Sequence, residues 1–205
     1  MKIGSEQKKE ILLATRNKGK VREFREALKG LEVQIRSLTD FPNPPEIEED
    51  GRTFAENALK KARFYSKLYG RITLSDDSGL EVDVLKGAPG VYSARYSGKG
   101  ASDSTNNQKL LKELERVSLS RREARFKCSI AIVSPDAREA IVEGACKGRI
   151  GFKEVGKRGF GYDPLFILPQ YGKTMAQLTL SEKNRISHRG KALRKLRKIM
   201  KNFLQ

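Results

Sequence analysis

The chain has 205 residues, 38% of them apolar, with 42 Lys and Arg against 25 Asp and Glu, a net charge of +17. A chain of this length buries ~70% of its unfolded surface without staples, which reads as one domain over residues 1–205, in one body or two joined lobes. The longest apolar runs, such as Ile130-Ala131-Ile132-Val133, fall far short of a membrane span. The two cysteines, Cys128 and Cys146, make no disulfide framework or zinc cluster. The residues up to Glu10 carry no apolar signal region, so the expectation is a cytoplasmic protein without membrane association.

The positive charge calls for an anionic partner: nucleic acid, a membrane surface or a phosphorylated small molecule. It is uneven. From Lys183 onward there are nine basic and no acidic side chains, whereas Glu46, Glu48, Glu49 and Asp50 form an acidic island. The basic tail reads equally as the solvated face of a helix.

Strand and helix signals alternate, which predicts an α/β fold around a sheet. Ile11–Ala14 reads as a strand, and Asn17 as the N-cap of a helix from Lys18 to about Lys29 with Val21, Phe24 and Leu28 inward. A second strand covers Leu31–Ile35, and the prolines of Phe41–Pro45 require a loop. Thr53 and Glu56 form a capping box for a helix to Tyr69, with Phe54, Ala58, Ala62, Tyr65 and Tyr69 as its apolar stripe. Ile72–Ser75 reads as a short strand, Asp76-Asp77-Ser78-Gly79 as the turn that ends it, and Leu80–Leu85 as a further strand. A long loop follows from Gly87 to Gly100, then a helix from Asp103 to Val117. Alternation at Phe126, Cys128, Ile130 and Ile132 predicts a strand, which turns at Ser134–Arg138 and returns over Ala140–Gly148. Pairing 134 with 140 would set Cys128 opposite Cys146, within disulfide reach but as free thiols in a reducing compartment; an unrelated register is the alternative. Phe160–Pro164 is a loop, Leu165–Leu168 a short strand, and Ser187–Leu204 the final helix, with Leu193, Leu196, Met200 and Phe203 inward.

Four segments carry chemistry. Thr15-Arg16-Asn17-Lys18-Gly19-Lys20 lies between a strand and a helix start, where free amides and the helix dipole attract phosphate. It lacks the Walker spacing and reads alone as an ordinary strand-to-helix turn. The adjacent carboxylates of Asp76 and Asp77 repel unless something neutralises them, and a hard divalent cation such as magnesium would, with the acidic island near Glu49 offering a further ligand. In Phe160-Gly161-Tyr162-Asp163-Pro164 an aromatic face could stack on a nucleobase while the carboxylate accepts from it, or the aromatics could simply fall into the core. Ser187-His188-Arg189 holds the only histidine, beside Lys183 and Arg185.

Taken in order, Thr15–Lys20, Thr53–Ala58, Asp76–Gly79 with Gly87-Ala88-Pro89-Gly90, Phe160–Pro164 and Ser187–Arg189 resemble the motifs of the inosine/xanthosine triphosphate pyrophosphatases. The resemblance implies an elongated mixed sheet with flanking helices, two lobes, a nucleotide cleft between them, and a homodimer. It implies magnesium-dependent hydrolysis of inosine, deoxyinosine and xanthosine triphosphates to the monophosphate and pyrophosphate, with no nucleic acid required. By position, Asp77 would be the proton acceptor and, with Glu49, a metal ligand. Thr15, Arg16, Asn17, Lys18, Gly19 and Lys20 would hold the phosphates, with Ser78 and Lys183 touching substrate. Phe160, Gly161, Tyr162, Asp163, His188 and Arg189 would hold base and sugar. Arg16 departs from the small residue usual in that family, and Arg158 from a frequent glycine. Two rivals stand beside this: a nucleic-acid-binding protein using its +17 charge, which leaves the acidic residues unexplained, and the Maf-like nucleotide pyrophosphatases.

Overall fold

The computed structural model describes residues 9–204; the polar stretch before them lies outside the described residues. Seven strands form one mixed sheet in the order β2-β1-β3-β4-β5-β6-β7: β1 (Lys9–Leu13), β2 (Val33–Ser37), β3 (Thr73–Val82), β4 (Glu123–Val133), β5 (Glu139–Ile150), β6 (Phe166–Leu168) and β7 (Lys173–Thr174). β1 runs parallel to β2 and β3, and the remaining pairs are antiparallel. Five helices accompany them: α1 (Lys18–Ala27), α2 (Phe54–Tyr69), α3 (Asp103–Glu113), α4 (Leu180–Ile186) and α5 (His188–Leu204).

Local chemistry accounts for the helix starts. Asn17 accepts from the Lys20 amide at 3.1 Å and opens α1. Thr53 caps α2 through the Glu56 amide at 3.1 Å. The expected capping box is altered, because the Glu56 carboxylate bonds the Arg52 amide at 2.7 Å rather than that of Thr53. α4 was not expected from the sequence; Thr179 and Glu182 bond each other's amides around its first turn.

The largest departure is in β3. Asp76-Asp77-Ser78-Gly79 is no turn: β3 and β4 pair without a break from Thr73↔Val133 to Val82↔Ala124. Adjacent strand residues point to opposite faces, so Asp76 and Asp77 do not share an environment. One face carries Leu74, Asp76, Ser78, Leu80 and Val82, beside Phe126, Cys128, Ile130 and Ile132 of β4. α1 and α5 cover its first half in a core with Leu74, Ile130 and Ile132. A second core gathers Leu80, Val82, Phe126, Leu110 and Leu114 at the other end. Asp76 and Ser78 mark the polar interval between the two. The opposite face packs on α2 through Ala58, Ala62, Ala131 and Val133.

The β4–β5 register also differs from expectation. Val133 pairs with Glu139, which sets Cys128 opposite Gly144 and Phe126 opposite Cys146. Ser134 faces Arg138 rather than Ala140, two residues earlier on the return side, and closes the turn through Ser134 N to Arg138 O at 2.9 Å, with Ala137 at a positive φ. The cysteines are diagonal neighbours, both buried and free.

Candidate active site

β1 pairs with β3 only at Leu12↔Thr73 and Leu13↔Leu74, with bonds from the Leu12 amide to Ile72 O and from the Ala14 amide to Leu74 O. Beyond that point β3 runs on without its parallel neighbour. A cleft of about 400 Å³ opens there, at the carboxyl end of β1. Ligand sites in open α/β sheets characteristically lie where a strand's neighbour leaves, and the volume suits a small organic ligand.

Thr15, Arg16, Asn17, Lys20, Glu49, Asp77, Ser78, Phe160, Gly161, Tyr162, Asp163, Lys183, His188 and Arg189 all line this cleft. Five segments far apart in sequence are thus brought together. Lys18 and Gly19 are not in the lining. Lys18 faces a separate depression beside Arg22 and Arg25. Gly19 lies against the Phe160 ring; a Cβ there would come within 2.5 Å of Phe160 Cδ1.

Beneath the cleft is a buried network of three acids and three bases. Arg189, 1% exposed, donates Nε and Nη2 to Asp76 Oδ2 at 3.0 and 2.8 Å, Nη1 to Glu23 Oε2 at 2.6 Å, and Nη2 to Ser78 Oγ at 2.7 Å. Lys20 Nζ lies 3.1 Å from Asp76 Oδ1. Lys183 Nζ pairs with Glu23 Oε1 at 2.8 Å and donates to Asp163, whose carboxylate also takes the Phe160 amide at 3.0 Å. Burial penalises the charged form of these acids, but the cations outweigh it at two of them. Arg189 and Lys20 hold Asp76, and Arg189 and Lys183 hold Glu23, below the usual carboxylate range. Asp76 is therefore neutralised by protein cations, and the expectation that the adjacent Asp pair demands a metal fails for it. Four of the five Arg189 N–H groups are engaged in this network, so its guanidinium is not wholly free to read a ligand, as the sequence reading assumed.

Asp77 is set differently, on the α2 side of β3. Its Oδ2 accepts from Asn57 Nδ2 at 2.9 Å and its Oδ1 from the Ser78 amide at 2.9 Å. Burial raises its pKa, opposed by Lys61 and Lys20. Lys61 donates to Glu49 Oε1 at 2.5 Å and to Asp76 O at 3.0 Å. Arg16 does not enter the phosphate turn as a spare charge. It reaches out to Glu46 and to Pro44 O, both at 2.5 Å, and ties the acidic loop across the cleft mouth.

His188 opens α5, pressed on the sheet because Gly144 leaves room: a Cβ at Gly144 would lie 2.1 Å from His188 O. Its ring stacks on Phe126 with centroids 4.7 Å apart, and burial holds it neutral, its pKa well below the ordinary value. Lys183 and Arg189 lie 4.7 and 5.5 Å from the Phe160 ring centroid. Tyr162 is wall rather than platform, its hydroxyl donating to Ser93 O at 2.9 Å.

Sequence reasoning missed Glu23, Asn57 and Lys61. Glu23 sits one turn after Lys20 on a face otherwise made of Val21 and Phe24, a charged residue on an inward stripe. Asn57 and Lys61 are spaced i, i+4 beside the Ala58–Ala62 stripe, and both are buried. Those placements were visible as polar interruptions of an apolar face.

An α/β sheet with basic side chains and tuned carboxylates gathered at the free end of a parallel strand defines a protein built to hold a small phosphate-bearing ligand. The Ham1 family profile matches residues 11–199. Proteins called dITP/XTP pyrophosphatase resemble the chain closely. The one from Desulforamulus reducens is 53% identical over 190 residues, 93% of this chain and 94% of that one. The one from Geobacter sulfurreducens is 54% identical over 183 residues, 89% and 92% respectively. The solved HAM1 protein of Coxiella burnetii is 44% identical and superposes with a TM-score of 0.84 over 95% of this chain and 99% of that one. The chain belongs to the Ham1 family.

Proposed function

We propose that this chain hydrolyses inosine, deoxyinosine and xanthosine triphosphates to the monophosphate and pyrophosphate, and so clears them from the nucleotide pool, work that belongs in the cytoplasm. The observation that carries the reading is the convergence, in one cleft, of Asp77 with the phosphate turn at Thr15–Lys20 and the Phe160, His188 and Arg189 cluster. The names of the relatives, dITP/XTP pyrophosphatase, give two of these substrates. The working unit is one domain whose two lobes are the two cores on either side of Asp76 and Ser78. Among the described residues no helix is long and apolar enough to cross a membrane. A homodimer is the proposed assembly, on the strength of the resemblance.

Asp77 is the general base. Its carboxylate is buried and raised in proton affinity, yet steered by the Asn57 amide and the Ser78 N–H, which leave lone pairs to accept a proton from water. Lys20 and Lys61 supply positive charge beside it. Asp77 and Glu49 are hard oxygen donors in the same cleft. Among the described residues no group of three or more His, Cys, Asp or Glu gathers to hold a metal. Magnesium suits such a pair, because it takes one or two carboxylates and completes its shell with phosphate and water. Bound by Asp77 and Glu49, it would supply Lewis-acid neutralisation of the triphosphate. Lys61 then has two acidic neighbours to balance, Glu49 and Asp77. The Thr15–Lys20 turn takes the phosphates that leave, through Thr15, Arg16, Asn17 and Lys20, which line the cleft.

Base selectivity follows from donor and acceptor matching. Inosine and xanthosine present a 6-keto acceptor where adenine has an amino group. The one N–H of Arg189 left unused by the network can only donate. An adenine amino group there leaves donor facing donor, at a cost of ~1–3 kcal/mol or ~10–100-fold. The test is turnover of a nucleotide panel with magnesium. Inosine and xanthosine triphosphates should be consumed far faster than adenosine triphosphate, with pyrophosphate as co-product. A panel turned over without preference, or no turnover beside tight salt-dependent binding of long nucleic acid, would refute the reading.

A further inference from the structure

Among the polar residues in the first turns of α3, which no catalytic step has used, are Asp103, Asn106 and Asn107. Each reaches a loop that walls the cleft. Asn106 donates to Ser93 O and Ala94 O at 3.3 and 3.1 Å and accepts the Ser97 amide at 2.8 Å. It thus fixes the segment before α3. Asp103 and Asn107 fix the other wall, and they do so at a single residue. Asp103 Oδ2 accepts the Gly161 amide at 2.7 Å, and Asn107 Nδ2 donates to Gly161 O at 3.2 Å while also reaching Glu154 Oε1 at 3.0 Å.

Both backbone groups of Gly161 are therefore held from one helix, at i and i+4. Gly161 adjoins Phe160, the ring that lies over Gly19 and beside Lys183 and Arg189. Phe160 has its own amide fixed by Asp163 at 3.0 Å. With the amides at 160 and 161 and the carbonyl at 161 all bonded, the ring is carried on a backbone tied at both residues. An exposed loop without such ties would let the ring leave the cleft.

We propose that Asp103 and Asn107 are positioning residues for the nucleobase, acting through Gly161 to hold the Phe160 ring in place. This rests on the proposed function, in which Phe160 stacks on the base. Asp103 also lines the cleft, whereas Asn107 lies outside that lining and acts on the base only through Gly161. What they supply is preorganisation, which shows as affinity for the base-bearing part of a ligand and not for its phosphates. Asp103 is exposed and at the helix surface, so its truncation leaves the cores untouched.

The test is calorimetric titration of the wild-type chain, Asp103→Ala, Asp103→Asn and Asn107→Ala with two probes, inosine monophosphate and inorganic tripolyphosphate. Loss of a charge-assisted bond to the Gly161 amide should weaken inosine monophosphate about tenfold in Asp103→Ala and leave tripolyphosphate unchanged. Asp103→Asn keeps an accepting oxygen and should recover most of that loss. Asn107→Ala should weaken the same probe selectively. Equal weakening of both probes in Asp103→Ala would mean general distortion and overturn the proposal, as would inosine monophosphate affinity unchanged in both alanine variants. Absence of wild-type triphosphate turnover would instead strike at the proposed reaction, while the titrations would still decide whether the bracket sets base affinity.

Discussion

Replacing Glu23 by Gln tests the buried network most severely. The change keeps shape and one accepting oxygen but removes a charge that is 2% exposed and lies 2.6 Å from Arg189 Nη1 and 2.8 Å from Lys183 Nζ. Six charges balance in the wild type, Asp76, Glu23 and Asp163 against Lys20, Lys183 and Arg189. The variant leaves one buried cation in excess, and an amide N–H₂ turned toward an ammonium or guanidinium. Breaking a buried pair from one side costs ~3–5 kcal/mol. For a chain of this size each kcal/mol moves the melting temperature by ~2–4 °C, so a drop of roughly 6–20 °C is expected. The control is Glu26→Gln on the same helix, whose Lys29 pair is exposed and worth under ~1 kcal/mol. Thermal melts followed by circular dichroism at neutral pH read both. Adding Lys183→Met to Glu23→Gln should not restore the loss, because Lys183 is also the partner of the buried Asp163 carboxylate. If Glu23→Gln melts no lower than Glu26→Gln, the network contributes no more than a surface pair and the reasoning fails.

Asp77→Asn should abolish turnover, since the amide cannot take a proton; its oxygen keeps the bond from the Ser78 amide while its N–H₂ meets Asn57 Nδ2, a local cost that leaves the chain folded, and more than a tenth of wild-type activity would remove Asp77 as the base. His188 is buried with its folded pKa lowered, so the unfolded chain binds a proton that the folded chain refuses. Its contribution is fully present above the unfolded value, ~6.5, and is lost as pH falls toward the folded one, so urea midpoints should decline between neutrality and pH ~5, at up to ~1.4 kcal/mol per pH unit. His188→Phe should flatten that decline, and an unchanged slope would contradict it. Gly19→Ala should raise KM more than it lowers kcat, because its Cβ drives the Phe160 ring aside, and an unaltered KM would show that the ring does not need this seat.

What the sequence made legible follows from where each residue finds its partners. Asn17 and Thr53 bond amides three residues on, so their caps are local and were readable. The β4 alternation was readable because its Ile130, Ile132 and Phe126 side chains bury on one face. Asp76-Asp77-Ser78-Gly79 has the composition of a turn. It is held in β3 by Arg189, 113 residues away, and by Asn57 on the other face, which no local pattern reveals. The hairpin register slipped because Ser134–Arg138 closes by a backbone bond with Ala137 left-handed, a conformation the residue type does not advertise. α4, by contrast, was missed despite a local signal, the Thr179–Glu182 capping pair. In the candidate site, the segments were legible but the pairings within them were not. Arg16, expected on the phosphates, also ties down the acidic loop, and Glu23, which no motif singles out, links Lys183 to Arg189.

The central claim is that water attacks the α-phosphorus and pyrophosphate leaves toward the Thr15–Lys20 turn. Charge held there stabilises the leaving group as it becomes negative, and Asp77 takes the proton of the attacking water. Turnover of inosine triphosphate in water enriched in heavy oxygen, with mass analysis of both products, reads the position of attack directly. The account predicts one label in inosine monophosphate and none in pyrophosphate. Label in pyrophosphate would place attack at the β-phosphorus, and orthophosphate as the first product would contradict the pyrophosphohydrolase reaction itself.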